Sequence, residues 1–380
     1  MMKIVIAIDS MKGSLSSMEA GRAFAEGVEK AVEAQVIVRP MADGGEGTAE
    51  ALIEGMGGSW TQVLAAGPLG EPVKASYGYV NGGKKAVIEI AAAAGITLIP
   101  EHRRNILKTG TYGVGEIIRD AVQKGCRDFL IGIGGSATND CGIGMLCALG
   151  VQFLDADGNC IGKKGEDCGK IETIRLEDML PELKECRFQI ACDVTNPLYG
   201  ENGASYIYGP QKGGTAEQVC QMERMHRHFA ALTAKAVGKD VAACPGAGAA
   251  GGLGFAFLAY LNASLEPGVR LVMKTVGLEE CLKDADYVIT GEGCLDGQTV
   301  MGKVPAGVAR LAKKYRPVVI AVAGSVSEDA GCCNQAGIDA YFPILPKAMP
   351  LDEAMRPAEA AKNITRTAEQ LFRLIQAVKG

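Results

Sequence analysis

The chain contains 380 residues, of which 48% are hydrophobic and 22% are charged, and its formal net charge is −5. This composition is typical of a globular protein long enough for two domains. The net negative charge argues against nucleic acid as a partner. Only 5% of the residues are aromatic, so few side chains could stack on the bases of a single strand.

Strands and helices alternate in the N-terminal part. Residues 3–8 (KIVIAI) predict a buried parallel strand, too short for a signal peptide or a membrane span. A helical pattern over 16–32 and a strand over 34–41 follow, and a glycine turn then opens into a helix over 43–56. No other stretch approaches the roughly 20 apolar residues of a spanning helix, so we expect a cytoplasmic protein with no membrane partner.

The middle of the chain has a different rhythm. Two β-like runs within 67–95 surround the sequence NGG, which predicts a hairpin. A helix over 113–125 precedes the apolar strand that opens 128–150 and ends in GIGGSATND. Another strand with a polar exit is predicted within 188–198, and a glycine-rich turn leads into an apolar helix over 245–261.

The C-terminal part returns to alternating strands and helices over 285–345, including a helix over 328–336, and closes with a helix over 360–378. This alternation predicts an α/β fold whose parallel sheet carries helices on both faces. We expect residues 1–62 and 280–380 to form one domain and 63–279 to form an inserted second α/β domain.

The thirteen cysteines are scattered, and no C-x-x-C pair occurs. Without an export signal, we expect reduced thiols rather than a disulfide framework. The histidines, His102, His226 and His228, have no cysteine at the spacing of a zinc site.

Polar side chains follow most of the predicted strands at the point where each strand ends. Ligands collect at the carboxyl ends of parallel strands, so we expect these side chains to share a site. The first two exits offer Asp9, Ser10, Lys12, Ser14, Asp43, Glu46 and Thr48. The middle exits read GIGGSATND (132–140) and CDVTNP (192–197), and the late exit offers Glu292, Asp296, Gln298 and Lys303.

This combination of groups suits phosphoryl transfer. Glycine lets backbone N–H groups approach phosphates, and carboxylate oxygens suit Mg²⁺. Lysine neutralises charge on the moving phosphoryl group, and a carboxylate can accept the proton of the acceptor hydroxyl. Each feature taken singly also has an ordinary explanation in turn geometry, helix capping or a solvated charge, and it is the combination that favours a site.

Other classes of protein fit the pattern less well. The chain lacks the P-loop motif, the protein-kinase motif set and the G-x-S-x-G turn of many serine hydrolases. A nucleotide- or acid-binding sensor without catalysis is the alternative, and the density of acidic, basic and hydroxyl groups at the strand exits argues against it.

A set of motifs in one order resembles the two-domain bacterial glycerate kinases, a family separate from the sugar-kinase folds. The motifs are KIVIAIDSMKGSLS, MADGGEGT, GPLGEPV, AVIEIAAAAG, GIGGSATND, ACDVTNPLYGENGA, GPQKGG, PGAGAAGGLG, VITGEGCLDGQT and GKVPAGVA. The resemblance extends over nearly the whole chain. It implies ATP-dependent phosphorylation of D-glycerate with Mg²⁺ at a cleft between a flavodoxin-like domain and an inserted restriction-enzyme-like domain. Family analogy favours 2-phosphoglycerate over 3-phosphoglycerate as the product, and a related small hydroxy acid is the alternative substrate.

The resemblance and the strand exits together suggest roles for individual residues. The candidate catalytic groups are Asp193 as general base and Lys12 and Lys303 as phosphate cations. The candidates for binding phosphate or substrate are Asp9, Ser10, Ser14, Gly134, Gly135, Ser136, Thr138, Asn139, Asn196 and Gln298. The candidate metal ligands are Asp43, Glu46, Asp140, Glu292 and Asp296. For Asp193 the alternative is that it only orders the turn TNPLYG.

The chain departs from the family pattern at a few positions. Ile8 stands where the family usually has proline, Cys141 where it has glycine, and Cys294 where it has arginine. The stretch NILKTGTYG replaces a more threonine-rich form. An arginine at 294 could hold a phosphate or a substrate carboxylate, so Cys294 bears on substrate affinity and specificity.

Overall fold

A computed structural model describes residues 1–379. Its strands are β1 (Met2–Ile8), β2 (Ala34–Val38), β3 (Ser59–Ala66), β4 (Pro72–Val80), β5 (Lys85–Glu89), β6 (Asp128–Gly132), β7 (Gln152–Leu154), β8 (Cys160–Ile161), β9 (Thr173–Arg175), β10 (Arg187–Ala191), β11 (Ser264–Glu266), β12 (Tyr287–Leu295), β13 (Val318–Val326) and β14 (Ala340–Pro343).

The helices separate most of these strands. They are α1 (Ser17–Ala31), α2 (Thr48–Met56), α3 (Ala91–Ala94), α4 (Tyr112–Gln123), α5 (Ile143–Ala148), α6 (Ala204–Tyr208), α7 (Ala216–Val237), α8 (Ala249–Tyr260), α9 (Gly268–Thr275), α10 (Leu278–Leu282), α11 (Val304–Ala312), α12 (Cys332–Gln335), α13 (Leu351–Ala354) and α14 (Pro357–Lys379). Short 3-10 helices occur at Ile96–Leu98, Glu101–Arg103, Gly165–Gly169, Pro181–Glu185, Pro210–Lys212, Thr299–Met301 and Glu328–Gly331.

The chain divides into two compact units. Unit 1 contains Met1–Asp43, Glu50–Gly57 and Pro267–Gly380, and unit 2 contains Gly44–Ala49 and Gly58–Glu266. The sequence prediction changes domain at 62/63 and 279/280, whereas the compact units change at 57/58 and 266/267 and also exchange the short segment Gly44–Ala49. β3 falls in unit 2 because it pairs with β4 along its whole length, and α9 falls in unit 1 because it packs on α11.

Unit 1 is built on a five-stranded sheet in the order β2-β1-β12-β13-β14, and every neighbouring pair is parallel. This is the 2-1-3-4-5 order of flavodoxin-like sheets, and it confirms the predicted α/β fold. Helices α1 and α14 pack together on the sheet, with the rings of Phe24 and Phe372 6.3 Å apart. Their backbones approach closely at Gly27, where a Cβ atom would lie 2.2 Å from the carbonyl oxygen of Thr365.

Unit 2 is built on a six-stranded mixed sheet in the order β11-β10-β6-β5-β4-β3. The first four strands are parallel to one another. β4 pairs antiparallel with β5, and β3 pairs antiparallel with β4. The predicted NGG hairpin is the turn between β4 and β5, where Asn81, Gly82 and Gly83 all have positive φ. A smaller antiparallel sheet has the order β8-β7-β9.

Two predicted helices differ from their sequence pattern. The segment predicted over 328–336 is a 3-10 turn followed by the short helix α12. The glycine-rich run before α8 continues into it, so that residues 250–252 have left-handed φ values of 52°, 69° and 87°. A Cβ at Gly251 would lie 2.1 Å from the carbonyl oxygen of Thr138, so these glycines let α8 approach the 138–141 backbone.

Two further sequence predictions concern the helices and the cysteines of the described residues. Over residues 1–379 no helix combines the length and the apolar character needed to cross a bilayer. None of the thirteen cysteines, all of which lie in the described part of the chain, forms a disulfide.

Candidate active site

Unit 1 has its candidate site where the strand order reverses, at the carboxyl ends of β1 and β12. Ile8 is paired with Gly291, and the backbone N–H of Asp9 donates to the Gly291 carbonyl at 2.9 Å. Asp9, the first residue after β1, therefore lies beside Glu292, which is in the C-terminal part of β12. A crevice forms at such a point because the connections on either side run to opposite faces of the sheet.

This crevice opens as a cavity of about 450 Å³ with a polar end and an apolar wall. The predicted residues that line it are Asp9, Ser10, Lys12, Ser14, Asp43, Glu292 and Lys303. The apolar lining comes from Met11, Ile344, Leu345, Leu351, Ala354, Met355 and Ala360. The cavity is thus amphipathic, and its volume is within the usual range of small-molecule sites.

Ser17 links the chain segments at the ends of β1 and β2 by hydrogen bonds. Its hydroxyl donates to the carbonyl of Ile8 at 2.5 Å and accepts the backbone N–H of Met41 at 2.7 Å. Ser17 is the first residue of α1, whose N-cap Ser16 forms a reciprocal capping box with Glu19. The start of α1 therefore holds the ends of β1 and β2 in place.

Asp9 is buried among other acidic groups, and its pKa is raised to about 7. Burial is the largest cause, followed by the charge of Asp43. The backbone N–H of Ser10, which donates to Asp9 Oδ1 at 2.7 Å, and the charge of Lys12 act in the opposite direction. Asp9 therefore titrates near neutral pH and responds strongly to any cation placed beside it.

Lys303 lies between two of the acidic groups. Its Nζ is 3.3 Å from Asp296 Oδ1 and 3.6 Å from Glu292 Oε2. Burial lowers the pKa of Lys303, but Glu292 and Asp296 raise it more, so the net shift is upward. Glu292 also accepts a 2.6 Å hydrogen bond from the Thr299 hydroxyl, and burial raises its pKa. Lys303 is therefore a held, charged ammonium at the polar end of the cavity.

Three of the candidate catalytic or ligand-binding residues from the first, second and late strand exits lie outside the cavity lining. Asp296 forms an ion pair with Lys303, which does line the cavity. Its Oδ1 also accepts hydrogen bonds from the backbone N–H groups of Gln298 and Thr299. Gln298 is exposed. Glu46 is also exposed and belongs to unit 2.

Unit 2 presents a second candidate region at the carboxyl ends of β6 and β10. Gly132 is paired with Ala191, so Gly134 and Asp193 each follow two residues beyond a shared register position. Gly134, Gly135 and Asp193 are exposed, and Gly135 has a φ of 69°. Neighbouring strands lie about 4.8 Å apart, which brings the glycine turn and the carboxylate into one area.

The rest of GIGGSATND is buried, and the Asp140 carboxylate is held by several hydrogen bonds. Asp140 Oδ2 accepts the backbone N–H and the hydroxyl of Thr111, both at 2.8 Å, and the N–H of Gly144 at 3.2 Å. Its Oδ1 accepts the N–H of Gly142 at 3.1 Å. Burial raises the pKa of Asp140, whereas these hydrogen bonds lower it. Because both carboxylate oxygens are engaged, Asp140 serves as a loop anchor, and we leave it out of the proposed metal ligands.

Thr138 and Asn139 are buried as well. The Asn139 amide donates to the Ser205 hydroxyl at 3.0 Å, and the Asn139 carbonyl lies 3.0 Å from His226 Nε2. The Asn196 side chain donates to the carbonyl of Asn202 at 2.8 Å and accepts from the Tyr208 hydroxyl at 2.6 Å. Asn139 and Asn196 thus order loops behind the exposed groups.

The departures from the family pattern have structural counterparts. Cys141 has a φ of 51°, in the left-handed region that favours the glycine expected there. Cys294 is exposed and lines the unit 1 cavity. Ile8 is buried at the end of β1.

Sequence reasoning missed several groups that the fold brings to these regions. Lys212 is buried and donates to Ser136, although the two are 76 positions apart. Thr299, which holds Glu292, and the apolar wall from 344 to 360 were also missed. The only sequence signal for Lys212 is its place between glycines and a proline in GPQKGG.

The carboxylates of the unit 1 cavity suit Mg²⁺ by their chemistry. Among the described residues no three histidine, cysteine or carboxylate side chains converge as a preformed metal site. Mg²⁺ is commonly held by one or two carboxylates together with substrate phosphates, so a preformed cage is not required. Asp9, Asp43 and Glu292 are hard oxygen donors that line one cavity, and they fit this mode.

Comparisons with known proteins agree with one another. The model of the glycerate kinase family matches residues 4–376. The chain is 47% identical to glycerate 2-kinase of Escherichia coli K12, over 96% of this chain and 98% of that one. It is 46% identical to glycerate kinase of Halalkalibacterium halodurans, over 95% and 97%. A crystal structure described as glycerate kinase 2 from Salmonella typhimurium LT2 superposes with a TM-score of 0.92 at 42% identity, covering 100% of this chain and 99% of that chain.

Proposed function

The chain belongs to the glycerate kinase family, and from this premise we propose that it transfers the γ-phosphoryl group of MgATP to the 2-hydroxyl of D-glycerate. The observation that carries the proposal is the pairing of Ile8 with Gly291. This register puts Asp9 and Glu292 side by side at the polar end of an amphipathic cavity that also contains Lys303.

The unit 1 cavity is the proposed nucleotide site. Its apolar wall, formed by Ile344, Leu345 and Met355, suits a flat purine base, and its polar end suits phosphates. Lys303 is held by Glu292 and Asp296 and would neutralise phosphate charge without reorganisation. Lys12 is more exposed, and its ion pair with Asp43 is long, with 3.6 Å between Nζ and Oδ2. Exposed pairs of this kind are weak, so Lys12 can move toward an added anion.

The acidic side chains of this cavity fit a metal-nucleotide complex. Asp9, Asp43 and Glu292 are the groups we propose to hold Mg²⁺. The ion, when bound with ATP, would supply charge neutralisation on the β- and γ-phosphates. Burial beside Asp43 leaves Asp9 partly protonated near pH 7, and a cation at the site would favour its ionised form.

The residues at the strand ends of unit 2 are the proposed binding site for the acceptor substrate. Gly134, Gly135 and Ser136 form a turn that leaves room for the carboxylate of a small hydroxy acid. Asp193, on the neighbouring strand exit, is the proposed general base for the acceptor hydroxyl. The printed name of the E. coli relative supports the 2-hydroxyl as the position phosphorylated.

Turnover with defined acceptors tests the proposal. The protein is incubated with ATP, Mg²⁺ and D-glycerate, ADP formation is followed, and NMR identifies the product. We expect ADP formation that depends on D-glycerate and yields 2-phosphoglycerate. L-glycerate, glycolate and lactate test the alternative of a related hydroxy acid. ADP formation that is equally fast without any acceptor would contradict a kinase function, and ligand binding without turnover would indicate a sensor.

A further inference from the structure

Lys212 is a buried lysine that forms no ion pair with a carboxylate among the described residues. It ends a 3-10 turn at Pro210–Lys212, and Gly213 follows with a φ of 85°. A Cβ at Gly213 would lie 2.4 Å from the carbonyl oxygen of Arg104, so only glycine lets this segment pack so closely. The backbone thereby fixes Lys212 beneath the loop that follows β6.

The hydrogen bonds of Lys212 are directed at that loop. Its Nζ donates to the Ser136 hydroxyl and to the Thr138 carbonyl, both at 2.8 Å. Among the described residues no carboxylate forms an ion pair with it. Asp140 is the nearest acidic influence, and the oxygens of Asp140 accept from Thr111, Gly142 and Gly144 instead.

Burying an ammonium without a counterion is costly, and neutral acceptors offset only part of the cost. The pKa of Lys212 is accordingly lowered to about 7, with burial as the cause and Asp140 acting in the opposite direction. The other titratable group facing it is His226, which is fully buried and whose pKa is lowered by burial. An anion bound nearby would therefore favour the charged form of Lys212.

Ser136 is itself buried and lies between Lys212 and the exposed glycines of the turn. Because its oxygen accepts from Lys212, its own proton is available to donate elsewhere. Gly134 and Gly135, directly before it, are exposed. The turn thus offers a polarised hydroxyl next to accessible backbone, with a buried cation behind it, which is the arrangement of an anion-binding site.

We propose that Ser136 binds the carboxylate of the hydroxy-acid substrate and that Lys212 is a positioning residue that orients and polarises the Ser136 hydroxyl. This inference rests on the proposed function for the identity of the substrate. Its physical content is independent of turnover, because it assigns an anion site to residues 134–136 with Lys212 as the buried cation.

A double-mutant cycle tests the coupling of the two residues. Lys212→Met removes the charge with a side chain of similar volume, and Ser136→Ala removes the hydroxyl. We expect each variant to raise the KM for D-glycerate roughly 10-fold or more, the usual effect of losing a charge-assisted hydrogen bond, with the KM for ATP within about two-fold of wild type. The double variant should resemble either single variant, because one interaction is lost in all three.

Two controls separate this effect from loss of structure. Lys170→Met, at an exposed lysine of the same unit that pairs with Asp167, should leave both KM values unchanged. D-glycerate alone should raise the thermal midpoint of wild type but not that of Lys212→Met, a readout that needs no catalysis. Additive losses, an equal rise of both KM values, or an unchanged KM for D-glycerate in a folded Lys212→Met would overturn the proposal. If wild type phosphorylates another hydroxy acid, the same cycle is run with that acid.

Discussion

Asp9 and Glu292 occupy equivalent positions just beyond the pairing of Ile8 with Gly291, so two buried carboxyl groups stand side by side at one sheet edge. The N–H of Asp9 donates to Gly291, which fixes this relationship through the backbone. Burial and the neighbouring acidic groups make the site unfavourable for charge until a cation arrives. Strongly perturbed carboxyl groups of this kind cluster at functional sites.

The first prediction concerns pH and stability. The pKa of Asp9 is raised from 3.8 to about 7, so the folded state binds a proton more tightly than the unfolded state. The contribution of Asp9 to the free energy of unfolding is therefore fully present below about pH 4. It is lost as pH rises through about 7, and the change is roughly 4 kcal/mol at most. In metal-free buffer, Asp9→Asn should raise the thermal midpoint at pH 8 and change it little at pH 5. Asp352→Asn, at an exposed site, is the control. Parallel profiles for wild type and Asp9→Asn would contradict the raised pKa.

Lys303→Met should lower kcat by roughly 10²-fold or more, because a preorganised cation at the developing phosphoryl charge is lost. The protein should still fold, since Glu292 keeps its hydrogen bond from Thr299. Steady-state kinetics with circular dichroism checks both points. Lys314→Met removes an exposed lysine of the same unit that pairs with Glu279, and it should retain wild-type kcat. A kcat within two-fold of wild type for Lys303→Met would remove the lysine from the mechanism.

Asp193→Asn should lower kcat by about 10²-fold or more, because a positioned general base is removed while shape is retained. Its thermal midpoint should stay near that of wild type. Asp157→Asn, at an exposed position in the same unit, serves as the matched control. If Asp193→Asn fails to fold, the turn-ordering role is favoured instead.

Asp140→Asn should lower stability rather than metal affinity. The carboxylate accepts from Thr111, Gly142 and Gly144, and hydrogen bonds to a charged acceptor contribute about 1.5–3 kcal/mol each. Thermal unfolding with and without a chelator checks this, and the midpoint should fall by the same amount in both. A loss confined to Mg²⁺-containing buffer would return Asp140 to the metal ligands.

The last prediction uses the thiol at the unit 1 cavity. Cys294 lines the cavity, whereas the exposed Cys160 and Cys220 lie in unit 2. MgATP should slow alkylation of Cys294 by N-ethylmaleimide several-fold and leave the other two cysteines unaffected. Mass spectrometry of timed samples gives all three rates in one experiment. Equal rates at Cys294 with and without MgATP would place the nucleotide elsewhere.

The sequence alone determined the alternation of strands and helices, the NGG hairpin and the polar character of the strand exits, because each is a property of residues close together in the chain. Seven of the polar residues predicted from those exits do line the unit 1 cavity. Tertiary structure decided what each polar residue does. Asp140 and Asp9 both follow a strand, yet one is enclosed by N–H donors and the other faces acidic neighbours. Lys212 reaches Ser136 across 76 positions, and the apolar wall comes from segments with no polar signal. Local periodicity cannot report these relationships because strand register and packing join residues that are distant in the chain.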